Sequence, residues 1–163
     1  MYVKGKKGQK IVIRHAEVLD KDGNFYPETL RQAKSIDTFI ATEKNRFSVQ
    51  FYIPWIPLYQ RRRNEEFTAD QFFACVTHSD MEKTGDFHCS NKKVNQLQNN
   101  ITWSQRDNFL DIPTDCPQRD ERMGWTGDTQ VFSVTASYLA DTYAFYRKFL
   151  YDMYQEQLLA DGM

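Results

Sequence analysis

At 163 residues with 40% hydrophobic content, the chain is long enough for one ordinary domain or parts of two, with a real core. Twenty-one basic side chains nearly cancel twenty-two acidic ones, so no net field recruits nucleic acid or an anionic membrane, and a neutral partner fits better. Fifteen per cent aromatic content, nine tyrosines included, exceeds what a core needs and is of the kind that stacks on ligands in pockets.

The N-terminus, Met1-Tyr-Val-Lys-Gly-Lys-Lys, lacks the apolar stretch of a secretory signal, and no run approaches the roughly 20 apolar residues of a membrane helix. A cytoplasmic location is expected. Lys10 to Leu19 is rich in β-branched residues and reads as a strand, and Asp20-Lys-Asp-Gly-Asn24 supplies turn chemistry after it. Further strands are expected at Ile36–Ile40 and Phe72–His78, together half of a sandwich. From about Ser90 the period changes. Val94, Leu97 and Ile101 recur at helical spacing with Ser90 as the expected cap, and helices resume through Val131, Val134 and Tyr138, then through Phe145, Phe149 and Met153. Strands followed by helices predict an α+β chain of two domains, residues 1–77 and 78–163, meeting near His78 to Gly85.

Cys75, Cys89 and Cys116 are odd in number and far apart, which argues against a zinc site or a disulfide framework and for reduced thiols. His15, His78 and His88 have no ligand spacing and read as structural histidines. Tyr138, Tyr143, Phe145, Tyr146 and Phe149 read as helix-period core. No cofactor or metal is implied.

Between Asn108 and Asp128 an irregular connection gathers Asp111, Asp115, Asp120, Glu121 and Asp128 with Arg119, Arg122 and Trp125. A solvated loop in which Thr126 or Asp128 caps the next helix is the plain alternative. The chemical reading is glycoside hydrolysis, which needs one carboxylic acid to protonate the leaving oxygen and a second carboxylate on the opposite face. Clustered carboxylates and arginines can set an acid and an anion apart, and a tryptophan offers a flat face to a sugar ring.

The run Asp115-Cys-Pro-Gln-Arg-Asp-Glu121-Arg-Met-Gly-Trp-Thr-Gly-Asp128, with Gly85-Asp-Phe-His-Cys-Ser-Asn91 upstream, closely resembles the bacterial α-L-rhamnosidases of glycoside hydrolase family 78. Gly8 to Glu17, His78-Ser-Asp-Met81 and Phe109-Leu-Asp-Ile-Pro113 extend the resemblance over nearly the whole chain. It implies a partial β-sandwich-like domain followed by the first helices of an (α/α)6 barrel that removes terminal α-L-rhamnose from rhamnosides or rhamnose-containing oligosaccharides with inversion. Carried onto this sequence, the general acid falls on Glu121. Asp115 and Asp128 match residues that hydrogen-bond the rhamnose hydroxyls, Trp125 matches an aromatic wall, and Arg119 and Asp120 complete the substrate-binding motif. Met123 stands where leucine is usual, a mild exchange.

In the family the general base is a glutamate farther along the barrel, beyond Met163, so the isolated chain is expected not to hydrolyse rhamnosides. Met1 falls inside what reads as an ongoing strand, and the chain is expected to be a piece at both ends. A non-catalytic L-rhamnose-binding module or an inert product of a broken gene are the alternatives.

Residues 46–64 depart from the family. Phe51-Tyr-Ile-Pro-Trp-Ile-Pro-Leu-Tyr-Gln-Arg-Arg-Arg63 stands where Phe-Thr-Phe-His-Gly-Phe-Arg-Tyr is usual, and reading one base later permits the usual run. A reading-frame disturbance opened before Phe51 and closed before about Glu65 is expected, with prolines interrupting a sheet strand, and a proline-rich linker with a basic surface patch is the alternative.

Overall fold

A computed structural model describes residues 6–42, 56–58 and 76–160. The chain divides into two units. The first comprises Met1–Val76 with Gln118–Asp120, and the second Thr77–Pro117 with Glu121–Met163. Cys75, most of the Phe72–His78 strand and all of the atypical stretch except 56–58 lie outside the described residues.

In the first unit the β-branched run folds as expected, with one break. Strand β1, Lys10–Ala16, buries Ile11 and Ile13 by alternation, and Ala16 closes its end. The chain turns off at Glu17, and β2 (Val18–Leu19) pairs antiparallel with β3 (Phe25–Tyr26). Asp20 builds the connection. Its Oδ1 accepts from the backbone N–H of Asp22 at 2.9 Å and of Asn24 at 2.7 Å, while Gly23 takes φ +80°. The hydrogen bonds from Asn24 hold the Asp20 carboxyl below its ordinary range.

β4 (Ile36–Ile40) pairs antiparallel with β1 from Lys10↔Ile40 to Arg14↔Ile36. On the other side of β1 lies β5, Ile56–Leu58, with His15 opposite Pro57. Pro57 therefore does not prevent pairing: among the described residues β5 is an edge strand, where a missing N–H can face outward. His15 is structural: it is buried, and its Nε2 lies 2.6 Å from Asp37 Oδ2 on the neighbouring strand.

In the second unit the helical periods mark real helices, although the caps and covered faces differ from expectation. Helix α1 is Lys92–Asn108, and Asn91 caps it in place of Ser90. The Asn91 backbone is extended, and its side chain accepts from Lys93 N at 3.0 Å and Val94 N at 3.4 Å. His78 Nδ1 lies 2.8 Å from the Ser79 carbonyl, a local structural contact. α1 ends in a tight hairpin, β6 (Phe109–Leu110) against β7 (Ile112–Pro113), turned by Asp111 at φ +68°. α2 is Thr126–Leu139 and α3 is Tyr143–Leu159. Thr126 and Asp128 do not cap α2. Trp125 occupies that position without a side-chain hydrogen bond, and both expected residues sit within the first turn.

Phe109 organises the core of this unit. It stacks on Phe145 of α3 at 4.6 Å and 9°, and meets Phe132 of α2 and Tyr146 of α3 edge-on at 6.0 and 5.9 Å. Ala136, fully buried, lets α2 approach this cluster. Phe145 and Phe149 are core as expected, whereas Tyr138 and Tyr143 are exposed. Val131 and Val134 also face outward, because the neighbours of α2 contact its Phe132–Ala136 side. Among the described residues no helix is long and apolar enough to cross a membrane.

Burial pushes the Tyr146 hydroxyl up to about 12, and its Oη has no hydrogen-bond partner. A folded value above the ordinary one contributes stability that is complete below about pH 10 and is lost as pH rises through 12. Tyr146→Phe should therefore remove the last step of a spectrophotometric tyrosine titration. It should also raise the unfolding free energy at pH 8 by about 1 kcal/mol in urea denaturation, since it deletes an unsatisfied buried hydroxyl.

Candidate functional site

The site is built on the connection between α1 and α2, whose two ends are tied together. Thr114 Oγ1 donates to the Asn108 carbonyl at 2.7 Å, anchoring the start of the loop on the last turn of α1. Thr114 then pairs with Gly124 in an isolated bridge, and Asp115 N donates to the Met123 carbonyl at 3.3 Å. The intervening residues thus form a closed loop, and Glu121 lies inside it close to Asp115. The carboxylates of Asp115 and Glu121 and the thiol of Cys116 each offer a ligand atom, all within 4.8 Å of one another.

Two features hold this loop against the helices. Gly124 lies where a Cβ would come within 2.8 Å of the Phe149 ring and 3.5 Å of Ile112, so only glycine allows the backbone to reach α3. At the hairpin, Asp111 N donates to Ser79 Oγ at 3.0 Å, and Lys148 Nζ lies 2.9 Å from Asp111 Oδ1. The Lys148 ammonium is raised above its ordinary value, first by its hydrogen bond with Asp152 and then by that with Asp111. Arg122, directly after Glu121, has φ +49°, a left-handed conformation that costs a non-glycine residue roughly 1–3 kcal/mol and clusters at functional sites.

Asp115 and Asp128 line one cavity of about 510 Å³, Asp128 from the first turn of α2, where the unpaired N–H groups of a helix favour a carboxylate. Asp115 Oδ1 is buried without a partner. Trp125 is 47% exposed and is not among the residues that line the cavity, and neither is Glu121. Gln118–Asp120 group with the first unit, where Gln118 Nε2 lies 3.2 Å from Glu17 Oε1. The structure therefore brings together Asp115 with Glu121, and Asp115 with Asp128. It leaves Trp125 on the surface beside them.

Sequence reasoning missed the rest of the cavity wall. Gln105 and Asn108 on α1, Phe132 on α2 and Tyr146 on α3 belong to it. The only available signal was a polar residue, Gln105, in phase with the α1 stripe. Cys116, read as a reduced thiol, stands beside both carboxylates.

The profile of the bacterial alpha-L-rhamnosidase 6 hairpin glycosidase domain matches residues 82–163, and that of the bacterial alpha-L-rhamnosidase concanavalin-like domain matches residues 1–78. The chain belongs to the bacterial α-L-rhamnosidase family. An α-L-rhamnosidase of Formosa agariphila is 40% identical over 163 residues, covering 93% of this chain and 17% of the relative. One of Streptomyces avermitilis is 38% identical, covering 98% and 16%. Among solved structures, the α-L-rhamnosidase from Dictyoglumus thermophilum superposes with a TM-score of 0.79 at 35% identity, covering 90% of this chain and 17% of that one. The Streptomyces avermitilis enzyme complexed with L-rhamnose gives 0.79 at 33% identity, covering 96% and 16%.

The chain thus spans about a sixth of the length of these relatives. Its α+β organisation is that of the family: a concanavalin-like β domain followed by helices of the six-hairpin glycosidase domain. Within this chain of the rhamnosidase family the Gly124–Phe149 contact fixes the exit of the loop. Gly124→Ala should lower stability by about 1–3 kcal/mol, and Phe149→Leu in the same chain should recover part of that loss, a coupling measurable by a double-mutant cycle.

Proposed function

We propose that this chain forms the acid side of an α-L-rhamnoside hydrolase site, with Glu121 as general acid. The observation that carries the reading is the pairing of Asp115 with Glu121 within 4.8 Å, while Asp115 also shares a cavity with Asp128. Asp115 and Asp128 accept hydrogen bonds from the hydroxyls of a terminal L-rhamnose. Trp125 covers a face of the ring, and Arg119 and Asp120 complete the contacts from the middle of the loop. We assign the domain boundary to residues 77–78, ahead of the irregular segment that leads into α1.

In the reaction, protonated Glu121 gives its proton to the glycosidic oxygen as the bond from that oxygen to the anomeric carbon breaks. Water adds to the anomeric carbon from the opposite face, so configuration inverts, and a second carboxylate takes the water's proton. In an inverting pair that carboxylate stands roughly 6.5–9.5 Å from the acid, leaving room for the water. Asp115 lies closer to Glu121 than that and is assigned to the sugar, and the resemblance to the family puts the base on a glutamate beyond Met163. The chain by itself then holds rhamnose without cleaving it.

Calorimetric titration with L-rhamnose tests this. Binding should fall at least about tenfold in Asp115→Asn and in Asp128→Asn, each of which removes a charge-assisted hydrogen bond, and should persist within a few-fold in Glu121→Gln. A chromogenic α-L-rhamnoside should show no turnover with the chain alone. No preference for L-rhamnose over D-glucose would sink the assignment of the pocket, and turnover abolished by Glu121→Gln would overturn the placement of the base.

A further inference from the structure

Unpaired polar atoms of the second unit gather in one place. Among the described residues of that unit, four buried side-chain atoms lack a hydrogen-bond partner: Gln105 Oε1, Asn108 Oδ1, Asp115 Oδ1 and Tyr146 Oη. All four belong to residues that line the same cavity of about 510 Å³, which Asp128 lines as well. Folded proteins pair nearly all of their buried polar groups, so four exceptions around one space call for a ligand that brings the missing partners. Water can fill the space meanwhile, and a ligand that displaces it has to reproduce its hydrogen bonds.

The chemistry of these atoms narrows the ligand. Three are acceptors. The fourth is a phenol that donates at neutral pH, since burial pushes the Tyr146 hydroxyl up to about 12. Phe109 and Phe132 add apolar wall, and among the described residues the only charged side chains on the cavity are the carboxylates of Asp115 and Asp128. A ligand that offers several O–H donors, accepts one in return and carries no negative charge suits this set. That describes a neutral sugar and not a uronic acid or a sugar phosphate. Gln105 is the most telling of the four. It is 4% exposed, and its Nε2 reaches the Ala136 carbonyl only at 3.4 Å, where that carbonyl already accepts from Ala140 N at 3.0 Å. Helix α2 is thus complete without the amide, and the fold does not account for a polar side chain here.

We propose that Gln105, Asn108 and Tyr146 are further sugar-binding residues, which take oxygens of the neutral sugar that Asp115 and Asp128 hold. Gln105 Oε1 and Asn108 Oδ1 accept from two hydroxyls, and Tyr146 Oη donates to a third oxygen. Amide and carboxyl heads turn about broad terminal torsions, so oxygens closed to solvent in the empty site reach a ligand with the helices unmoved. The proposal rests on the reading of Asp115 and Asp128 as sugar-binding groups. It adds α1 and α3 to a site otherwise built by the loop and α2, so that one ligand bridges three helices.

The test combines calorimetric titration of the 163-residue chain with L-rhamnose, D-glucose and D-glucuronate and urea unfolding of each variant without sugar. Tyr146→Phe and Gln105→Met should each weaken L-rhamnose binding about tenfold. The urea midpoint should stay or rise, because each exchange removes an unsatisfied buried oxygen. A residue that served only the fold would lose affinity and stability together, so the opposed responses carry the assignment. Gln130→Ala, exposed on α2 and outside the cavity lining, should change binding less than about twofold, and D-glucuronate should not bind. L-rhamnose binding that needs Asp115 and Asp128 but is indifferent to both exchanges would overturn the proposal while leaving the reading of the two aspartates intact. So would a midpoint lowered in step with affinity in both variants, or D-glucuronate bound as tightly as L-rhamnose. Equal binding of L-rhamnose and D-glucose, weakened alike by Tyr146→Phe, would sink the rhamnoside reading and leave these residues as a neutral-sugar wall. Wild-type chain that binds neither sugar would overturn both.

Discussion

The stack of Phe109 on Phe145 is the contact on which the second unit depends. Phe109 is the first residue after α1, and in that one position it touches both later helices: α3 through Phe145 and Tyr146, and α2 through Phe132. An aromatic pair in this geometry contributes roughly 0.5–1.5 kcal/mol beyond the area it buries. Its larger effect is geometric. The ring fixes where α1 stops, and the hairpin Phe109–Pro113 then delivers Thr114 and Asp115 to the mouth of the cavity.

From that anchor the loop is constrained at each end by backbone and not by charge. Thr114 is tied to the end of α1, Gly124 is tied to Thr114, and the missing side chain of Gly124 allows contact with the Phe149 ring. The ion pair of Lys148 with Asp111 is exposed and adds little energy, although it joins α3 to the turn of the hairpin. Preorganisation by hydrogen-bonded backbone suits a site whose carboxylates must stay close together, since their repulsion is then opposed by bonds that do not themselves titrate.

The same unit leaves apolar side chains and polar acceptors without partners around the cavity. The apolar stripe of α2 lies open, the acceptors of Gln105 and Asn108 are unpaired, and both border the cavity that holds Asp115 and Asp128. Cavity and apolar stripe are thus neighbours, joined at Val131.

Residue patterns alone were enough for the family and for the order of strands before helices, and they singled out the segment to which the proposed chemistry is assigned. The β-branched run at Lys10–Ala16, the helical periods after Ser90 and the motif from Asp115 to Asp128 are local patterns, and local patterns survive in a chain read one residue at a time. They also gave the period of α2 without its orientation. Val131, Val134 and Tyr138 fit an apolar stripe as well as Phe132 and Ala136 do, and only packing against Phe109 decides which stripe is buried first. The cap of α1 moved from Ser90 to Asn91 because capping depends on backbone angles that a list of residue types does not contain. Tertiary structure alone placed Cys116 beside the two carboxylates and set Gln105, Asn108 and Tyr146 around the pocket. Those residues come from two helices and the loop between α1 and α2, and no spacing along the chain encodes the angle at which helices cross.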